Sequence, residues 1–184
     1  MKKLSYTLIV VALLSITIFS SCKKEDPIIP HEHELITTLT YTLTPTGGGD
    51  VVELKFQDLD GEGGNAPVII TEPLAANTTY TGVITMLNEL ETPPHDIAGE
   101  VQGEAAMHQF FFIVEGGANA EISYSDEDIN GNPLGLATSL ETTGASTGTL
   151  TIVLRHEPKK PNDGTLTDAG GGSDIEVEFD ISIQ

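Results

Sequence analysis

The sequence predicts an all-β fold, a β-sandwich with Greek-key connections, for residues 35–184. Apolar and polar residues alternate with a period of two over much of this region, which is typical of half-buried strands. Clusters of Gly, Pro, Asn and Asp separate the alternating stretches and favour turns. Together these patterns indicate about nine short strands in one domain of ordinary size.

The predicted strands follow the alternation in chain order. They lie near residues 35–43, 52–56, 68–71, 79–87, 110–114, 121–125, 136–140, 147–154 and 175–183. In the first strand, Leu35 and Thr37 share a face with Leu39, Tyr41 and Leu43. The run 110–114 is apolar throughout, which favours a central strand covered on both faces. The last strand is the clearest, because its inward positions from Ile175 to Ile183 are apolar and its outward positions are acidic or serine.

One short helix is expected near residues 96–106. Asp96 is a suitable N-cap, and Ile97, Val101 and Ala105 recur at four-residue spacing. This spacing places the three apolar side chains on one helix face. The helix is therefore expected to cover one end of the sandwich.

A short motif refines the predicted fold. The segment from Leu74 to Tyr80 (LAANTTY) resembles the Leu…Thr-x-Tyr stretch of fibronectin type III and related immunoglobulin-like domains. The resemblance implies an immunoglobulin-like sandwich in which the tyrosine hydroxyl ties a corner between the sheets. It implies nothing about function.

The first 21 residues have the pattern of a secretory signal. Lys2 and Lys3 are followed by an apolar stretch over residues 8–19, which is too short and wrongly flanked for a membrane span. Ser20 and Ser21 then precede Cys22, the only cysteine of the chain. No disulfide can therefore form within one chain.

The residues around Cys22 resemble a bacterial lipobox, which implies cleavage before Cys22 and acylation of this residue. Several acyl chains would hold the protein firmly to a membrane. Residues 22–34 are then a tether, and its Lys-Lys-Glu-Asp segment (23–26) resembles the export signal of Bacteroidota surface lipoproteins. That resemblance implies the outer face of the outer membrane. The alternatives are a secreted protein with a chance cysteine, and a tether that is merely polar.

The body of the chain contains an internal repeat. Residues 53–63 (ELKFQDLDGEG) align with residues 121–131 (EISYSDEDING). The repeating unit is strand, Gly turn, strand, acidic loop, strand, strand, with halves near residues 36–103 and 104–184. About four strands cannot close a core alone, so we expect one sandwich made of two related halves.

Each half carries the pattern Asp-x-Asp-x-(Glu/Asn)-Gly, which begins an EF-hand loop. The candidate calcium ligands are Asp58, Asp60, Glu62, Asp126, Asp128 and Asn130. Ile69 and Ala137 stand where an EF-hand needs its bidentate acid, so a calcium-binding β-loop is the hypothesis. The alternative is that Asp, Asn and Gly simply form turns between strands.

Four histidines form a second set of candidate ligands. His31 and His33 alternate with glutamates in the tether, whereas His108 and His156 lie at predicted strand ends and could be neighbours in space. Imidazole together with carboxylate suits Zn²⁺ and similar ions. The alternative is a solvated tether and histidines with structural roles.

Charge and composition exclude several functional classes. With 28 Asp plus Glu against 8 Lys plus Arg, the formal net charge is −20, which argues against binding nucleic acid. There is no tryptophan to line a sugar-binding cleft. We find no nucleophile context outside Cys22 and no glycine-rich phosphate loop between a strand and a helix, so the protein is not expected to be an enzyme.

The lipobox, HEHE (31–34), DLDGEGGN (58–65), HQFFF (108–112) and RHEPKK (155–160) together resemble a set of small Bacteroidota lipoproteins. Some of these carry the label of a type 1 periplasmic binding fold, which the missing strand–helix alternation contradicts. The resemblance implies a lipid-anchored envelope protein. The histidines and the negative charge favour a non-catalytic role for it, in which it binds a ligand or metal and assists an outer-membrane receptor. The alternatives are a Ca²⁺-stabilised structural or adhesive surface protein, and an envelope protein whose acids only keep it soluble.

Overall fold

The computed structural model describes residues 35–61 and 63–184. Strands dominate this region. They are β1 (Thr38–Pro45), β2 (Val52–Gln57), β3 (Val68–Thr71), β4 (Thr79–Asn88), β5 (His95–Asp96), β6 (His108–Glu115), β7 (Ala120–Tyr124), β8 (Ala137–Thr142), β9 (Ser146–His156) and β10 (Gly172–Ile183). The helical elements are α1 (Ile97–Gly103), a 3₁₀ turn (Ala105–Met107) and α2 (Leu166–Ala169).

The strands form two antiparallel sheets. The larger has the order β3-β2-β1-β4-β8-β7, with the two-residue β5 paired to β4, and the smaller has the order β10-β9-β6. Buried side chains from both sheets belong to one hydrophobic cluster, which includes Leu39 and Tyr41 of β1, Phe110 of β6 and Phe179 of β10. The prediction of an all-β protein is confirmed at this level.

Alternation placed the apolar side chains correctly in most strands. In β10 the inward positions Val177, Phe179, Ile181 and Ile183 are buried, and Glu176, Glu178 and Asp180 are exposed. The predicted first strand began too early. β1 starts at Thr38, and Leu35 is 56% exposed because it precedes the residues that pair with β2 and β4. Thr37 is buried just before the strand, where its hydroxyl donates to the Leu87 carbonyl.

The prediction that residues 110–114 form a central strand is wrong. β6 lies at the edge of the smaller sheet and pairs with β9 alone among the named strands. Its apolar run has another cause, since residues 157–171, hereafter the strap, cover its outer face. Phe111 packs there with Val153 and Ala169 in a second small apolar cluster. Both faces of an edge strand are thus buried.

The predicted helix is present as α1 followed by the 3₁₀ turn. The Asp96 carboxylate caps α1 by accepting a hydrogen bond from the Gly99 amide, and Ile97 and Val101 are buried. The single turn α2 in the strap was not predicted. None of the helices in the described part of the chain has the length and hydrophobicity needed to cross a bilayer.

The Tyr80 motif makes the expected local contact. Its buried hydroxyl accepts a hydrogen bond from the Ala75 amide at 2.8 Å, five residues upstream. A tyrosine corner uses the same kind of bond to fix the chain near a sheet edge.

The two predicted halves share their order of elements but not their sheets. β1–β4 and β6–β9 each run strand, Gly turn, strand, acidic loop, strand, strand. In each half the first strand pairs with the fourth and the second pairs with the third. The first half lies in one sheet, whereas the second is divided between both sheets. The common origin of the halves stays a prediction.

Candidate metal centre

Two of the predicted histidines meet at one end of the smaller sheet. His108 begins β6, His156 ends β9, and the two residues are directly opposite in the strand register. Their ring centroids are 4.7 Å apart, with the rings at 65°. The expectation that these histidines are neighbours is confirmed, because the antiparallel pairing of β6 with β9 joins the ends where they lie.

The third member of the cluster, Asp174, was not predicted. The register of β10 against β9 shifts between Ser173 and Ile175, so Asp174 is an extra residue in a β-bulge. A bulge re-aims the side chain of the extra residue. The Asp174 carboxylate is consequently buried next to the histidines, although strict alternation with Ile175 would turn it to solvent.

Gly171 fits the chain against the end of β9, just before the bulge. Its φ is +75°, and a Cβ at this position would collide with the carbonyl oxygen of His156. Only glycine combines this positive φ with so close an approach of two backbones. The run Gly170-Gly171-Gly172 therefore helps to define where β10 starts, and with it the place of Asp174.

His108, His156 and Asp174, which we call the His–His–Asp cluster, have the geometry of a metal site. Asp174 Oδ2 lies 3.6 Å from His108 Nε2 and 3.7 Å from His156 Nδ1. One ligand atom from each residue falls within 4.8 Å of the others. In a tetrahedral site with ligands at about 2.1 Å, neighbouring ligand atoms are about 3.4 Å apart. Only small adjustments separate the cluster from this arrangement.

The contacts of His108 leave its Nε2 nitrogen available to bind a metal. Its Nδ1 is 3.3 Å from the Glu104 carbonyl oxygen, which can only accept a hydrogen bond, so we assign the proton to Nδ1. The Nε2 lone pair then faces the cluster, and Nε2 forms no hydrogen bond with any described residue. Burial lowers the pKa of His108, against the opposing effect of the Glu104 carbonyl. Neutral imidazole, the form that binds metals, is therefore favoured.

The second acidic loop, residues 126–131, holds its aspartates with donors from the protein. Asp126 accepts hydrogen bonds from the amides of Gly135 and Ala137, at 2.7 and 3.0 Å. Asp128 accepts from the amides of Asn130 and Asn132, at 2.8 and 3.0 Å. This is the turn chemistry that the sequence left as the alternative to calcium.

Lys160 of the strap forms an ion pair with Asp128 of this loop. Its Nζ lies 3.3 Å from Asp128 Oδ2 and donates to the Ala105 carbonyl at 2.8 Å. The ion pair is buried, since the two side chains are 5% and 0% exposed. Although burial opposes ionisation, the bonds from Asn132 and Asn130 and the Lys160 charge hold the pKa of Asp128 below its usual value. Lys160 thus neutralises a charge that a calcium ion would otherwise meet.

The first acidic loop is described at residues 58–61 and 63, and its aspartates form fewer contacts than those of the second loop. Asp58 accepts hydrogen bonds from the amides of Asp60 and Gly61, and Asp60 accepts from the amide and side chain of Asn65. The bonds from Asn65 lower the pKa of Asp60. Among the ion pairs between described residues, none involves Asp58 or Asp60. Within the described residues, no lysine or arginine pairs with Asp58 or Asp60 as Lys160 pairs with Asp128.

Several predicted residues lie elsewhere. Cys22, His31, His33 and Glu62 lie outside the described residues. Within the described ranges, the metal-ligand cluster of three residues is the His–His–Asp cluster and includes none of the calcium candidates. Calcium binding by the two loops stays a prediction.

Sequence reasoning missed Asp174 and Lys160. The three glycines at 170–172 were a usable signal for an irregular strand start, but they do not say which side chain the irregularity turns inward. Nothing near Lys160 in the sequence indicates that it reaches Asp128, because 32 residues separate them.

Comparison of the chain with protein-family models, curated proteins and solved structures gives no match.

Proposed function

We propose that this protein is a lipid-anchored envelope protein that binds a divalent transition metal at the His–His–Asp cluster. The observation that carries the proposal is the convergence of His108 Nε2, His156 Nδ1 and an Asp174 oxygen within 4.8 Å, at a buried place in the smaller sheet.

The donor set selects the class of metal. Two imidazole nitrogens and one carboxylate oxygen suit Zn²⁺, Ni²⁺ or Cu²⁺, whereas Ca²⁺ needs six to eight oxygens. We name Zn²⁺ as the main expectation, because the distances match a tetrahedral site and zinc imposes no other geometry.

Burial favours binding over catalysis. The side chains of His108 and Asp174 are 0% exposed and that of His156 is 10% exposed. A catalytic metal needs a position open to substrate. The proposed role is therefore non-catalytic: holding a metal for an outer-membrane receptor, or for the stability of the protein itself.

The cellular setting of the proposal comes from the first residues. We infer that Cys22 is acylated and that residues 22–34 tether the protein to the outer membrane, on its cell-surface side. The finer fold assignment, an immunoglobulin-like Greek-key sandwich, is part of the same proposal. The contact between Tyr80 and Ala75 supports it.

A second candidate function is a Ca²⁺-stabilised structural or adhesive protein. The observation that favours it is the first acidic loop, whose Asp58 and Asp60 stay outside the ion pairs of the described residues. The second loop favours it less, because Asp128 already forms an ion pair with Lys160.

Metal titration tests the proposal. We expect the purified full chain to bind one Zn²⁺ or Co²⁺ by calorimetry, and Co²⁺ to give the absorption of a low-coordinate nitrogen-and-oxygen site. At a free metal concentration about 100 times Kd, binding stabilises the fold by about 2.7 kcal/mol, so the melting temperature should rise. Calcium should change neither signal if the acidic loops form turns only. The adhesive alternative predicts a Ca²⁺ effect that Asp58→Ala with Asp126→Ala removes.

Two histidine variants make the test specific. His156→Ala removes a ligand and should abolish the Co²⁺ spectrum and the thermal shift. His95→Ala is the matched control, because His95 is 41% exposed on β5 and pairs with Glu100 at 2.7 Å outside the cluster. Equal binding by both variants would overturn the proposal.

A further inference from the structure

We propose that Lys160 and Asp128 condense to an isopeptide bond, a covalent link between the strap and the second acidic loop. The structure describes the two side chains unjoined, with Lys160 Nζ 3.3 Å from Asp128 Oδ2. The chain has one cysteine, so no disulfide within it can join distant segments. This inference concerns a covalent modification and does not depend on metal binding.

The two reacting groups are held together in a place that is almost closed to solvent. The side chains of Lys160 and Asp128 are 5% and 0% exposed. The amine, a nucleophile once it loses a proton, and the carboxyl group are thus neighbours as soon as the chain folds. Well-oriented groups in one molecule react at effective concentrations that reach about 10⁵–10⁸ M. Such proximity offsets the preference for hydrolysis that an amide meets in dilute solution.

Burial favours the amide over the ion pair. An ammonium and a carboxylate both lose hydration when they are enclosed, and their mutual attraction does not always repay this cost. The amide carries no net charge, so condensation removes both ions at once. Burial also lowers the pKa of Lys160, although Asp128 and Asp126 oppose this effect, and a lowered pKa helps to populate the free amine.

Backbone amides are placed to stabilise the transition state. The Asn130 and Asn132 amides donate to Asp128 Oδ1 at 2.8 and 3.0 Å. When Nζ attacks the carboxyl carbon, negative charge develops on Oδ1, where these two donors already lie. Two backbone N–H groups directed at one such oxygen form an oxyanion hole. Oδ2, the oxygen near Lys160, is then the leaving oxygen, and the Asn132 side-chain amide lies 3.2 Å from it.

The reaction balances without another reactant. One Nζ proton passes to Asp128 Oδ2, which gives the neutral amine and the carboxylic acid. The Nζ lone pair forms a bond to Cγ, the Cγ–Oδ2 bond breaks, and Oδ2 leaves as water with a second Nζ proton. The third proton stays on the amide nitrogen, where the Ala105 carbonyl, 2.8 Å from Nζ, accepts it.

The neutral pair that reacts is a minor form. Burial raises the pKa of Asp128, but the bonds from Asn132 and Asn130 and the charge of Lys160 lower it further, so the carboxylate predominates. A minor form is sufficient, because each molecule forms the bond only once. The product ties the strap to a residue 32 positions away in the chain. A cross-link of this kind stabilises a fold by restricting its unfolded state.

Mass spectrometry of the purified full chain tests the inference. We expect most molecules to be lighter by one water molecule than their sequence and any acyl groups require. Trypsin digestion of the denatured protein should give the linked segments directly. It cleaves after Arg155 and Lys159, so residues 56–155 and 160–184 should appear as one branched product, at their summed mass less one water. A missed cleavage cannot produce this mass, because it would retain residues 156–159.

Two lysine variants make the test specific. Lys160→Arg keeps the positive charge, but a guanidinium is too weak a nucleophile to form the amide, so the loss of water and the branched product should both disappear. Lys159→Arg is the matched control, because Lys159 is 62% exposed and pairs with Asp168 at the surface. This variant should still lose water and give the branched product.

Two outcomes would overturn the isopeptide bond. The first is a full sequence mass in the unaltered chain after prolonged incubation of the folded protein. The second is a loss of water that persists in Lys160→Arg, since an aspartate that cyclises onto the next backbone amide, as at Asp60-Gly61, also releases one water. Either outcome would leave the proposed metal centre intact, because metal titration tests that centre separately.

Discussion

At the scale of single residues, two similar motifs differ in their contacts through one partner. Asp58 and Asp126 occupy the same place in the two acidic loops, as do Asp60 and Asp128. Lys160 distinguishes them, because it reaches only the second loop. Burial lowers the pKa of Lys160, and the attraction of Asp128 opposes this effect. Burying the ion pair therefore carries a desolvation cost.

Replacing Lys160 by methionine should destabilise the protein by about 3 kcal/mol in urea unfolding, because Asp128 would stay buried without its cation. The loss should fall at the low end of the range for broken buried pairs, since Asn130 and Asn132 still donate to Asp128. Lys159→Met is the matched control: Lys159 is 62% exposed and pairs with Asp168 at the surface, so its loss should change stability little. Equal losses of stability in the two variants would show that the buried ion pair stabilises the protein no more than the surface pair does.

At the scale of elements, the strap joins two ligands of the proposed metal centre. It leaves β9 after His156 and returns to β10 just before Asp174. Its α2 turn covers the outer face of the smaller sheet, where Ala169 packs on Phe111 and Val153. The strap thus determines both the burial of β6 and the register shift that presents Asp174.

Gly171→Ala should cost clearly more stability than Gly164→Ala. Both glycines have positive φ, so each substitution carries backbone strain of about 1 kcal/mol. Only at position 171 does the new methyl group also meet a backbone carbonyl, that of His156. We expect a total loss above about 2 kcal/mol there, measured by urea unfolding, and weaker metal binding because the bulge must shift. Similar losses at both positions would contradict this account of the turn.

At the scale of the whole molecule, the described residues form two antiparallel sheets around one core, with the His–His–Asp cluster at one end of the smaller sheet. The formal net charge of the chain is −20, and a negative field of this kind attracts cations in general. Lipid anchoring would keep such a module at the membrane, where it could pass a metal to a receptor. The first step in testing that setting is the anchor itself.

Cys22→Ser should move the protein from the membrane fraction to the soluble fraction of cells that express it. The reason is that several acyl chains, each contributing about 0.8 kcal/mol per buried CH₂, would be lost together. Fractionation followed by detection of the chain measures the change. Ser20→Ala keeps a small residue near the cleavage point and should stay in the membrane fraction. Retention of the Cys22→Ser chain at the membrane would refute acylation as the anchor.

The sequence by itself determined the strand content and the helix near residue 97. It also supplied the hypothesis that two histidines are neighbours in space. These follow from local patterns, since alternation decides which side chains a strand buries. It misjudged β6 as a central strand, because apolar residues on both faces also result when a strap covers an edge strand.

Only the tertiary structure decided what the site contains. Alternation turns Asp174 outward with Glu176, whereas the bulge turns it inward to His108 and His156. Likewise, only the folded chain brings Lys160 to one acidic loop and not to the other. A register shift and a long-range ion pair depend on how distant segments pack, and short-range sequence patterns carry no record of that packing.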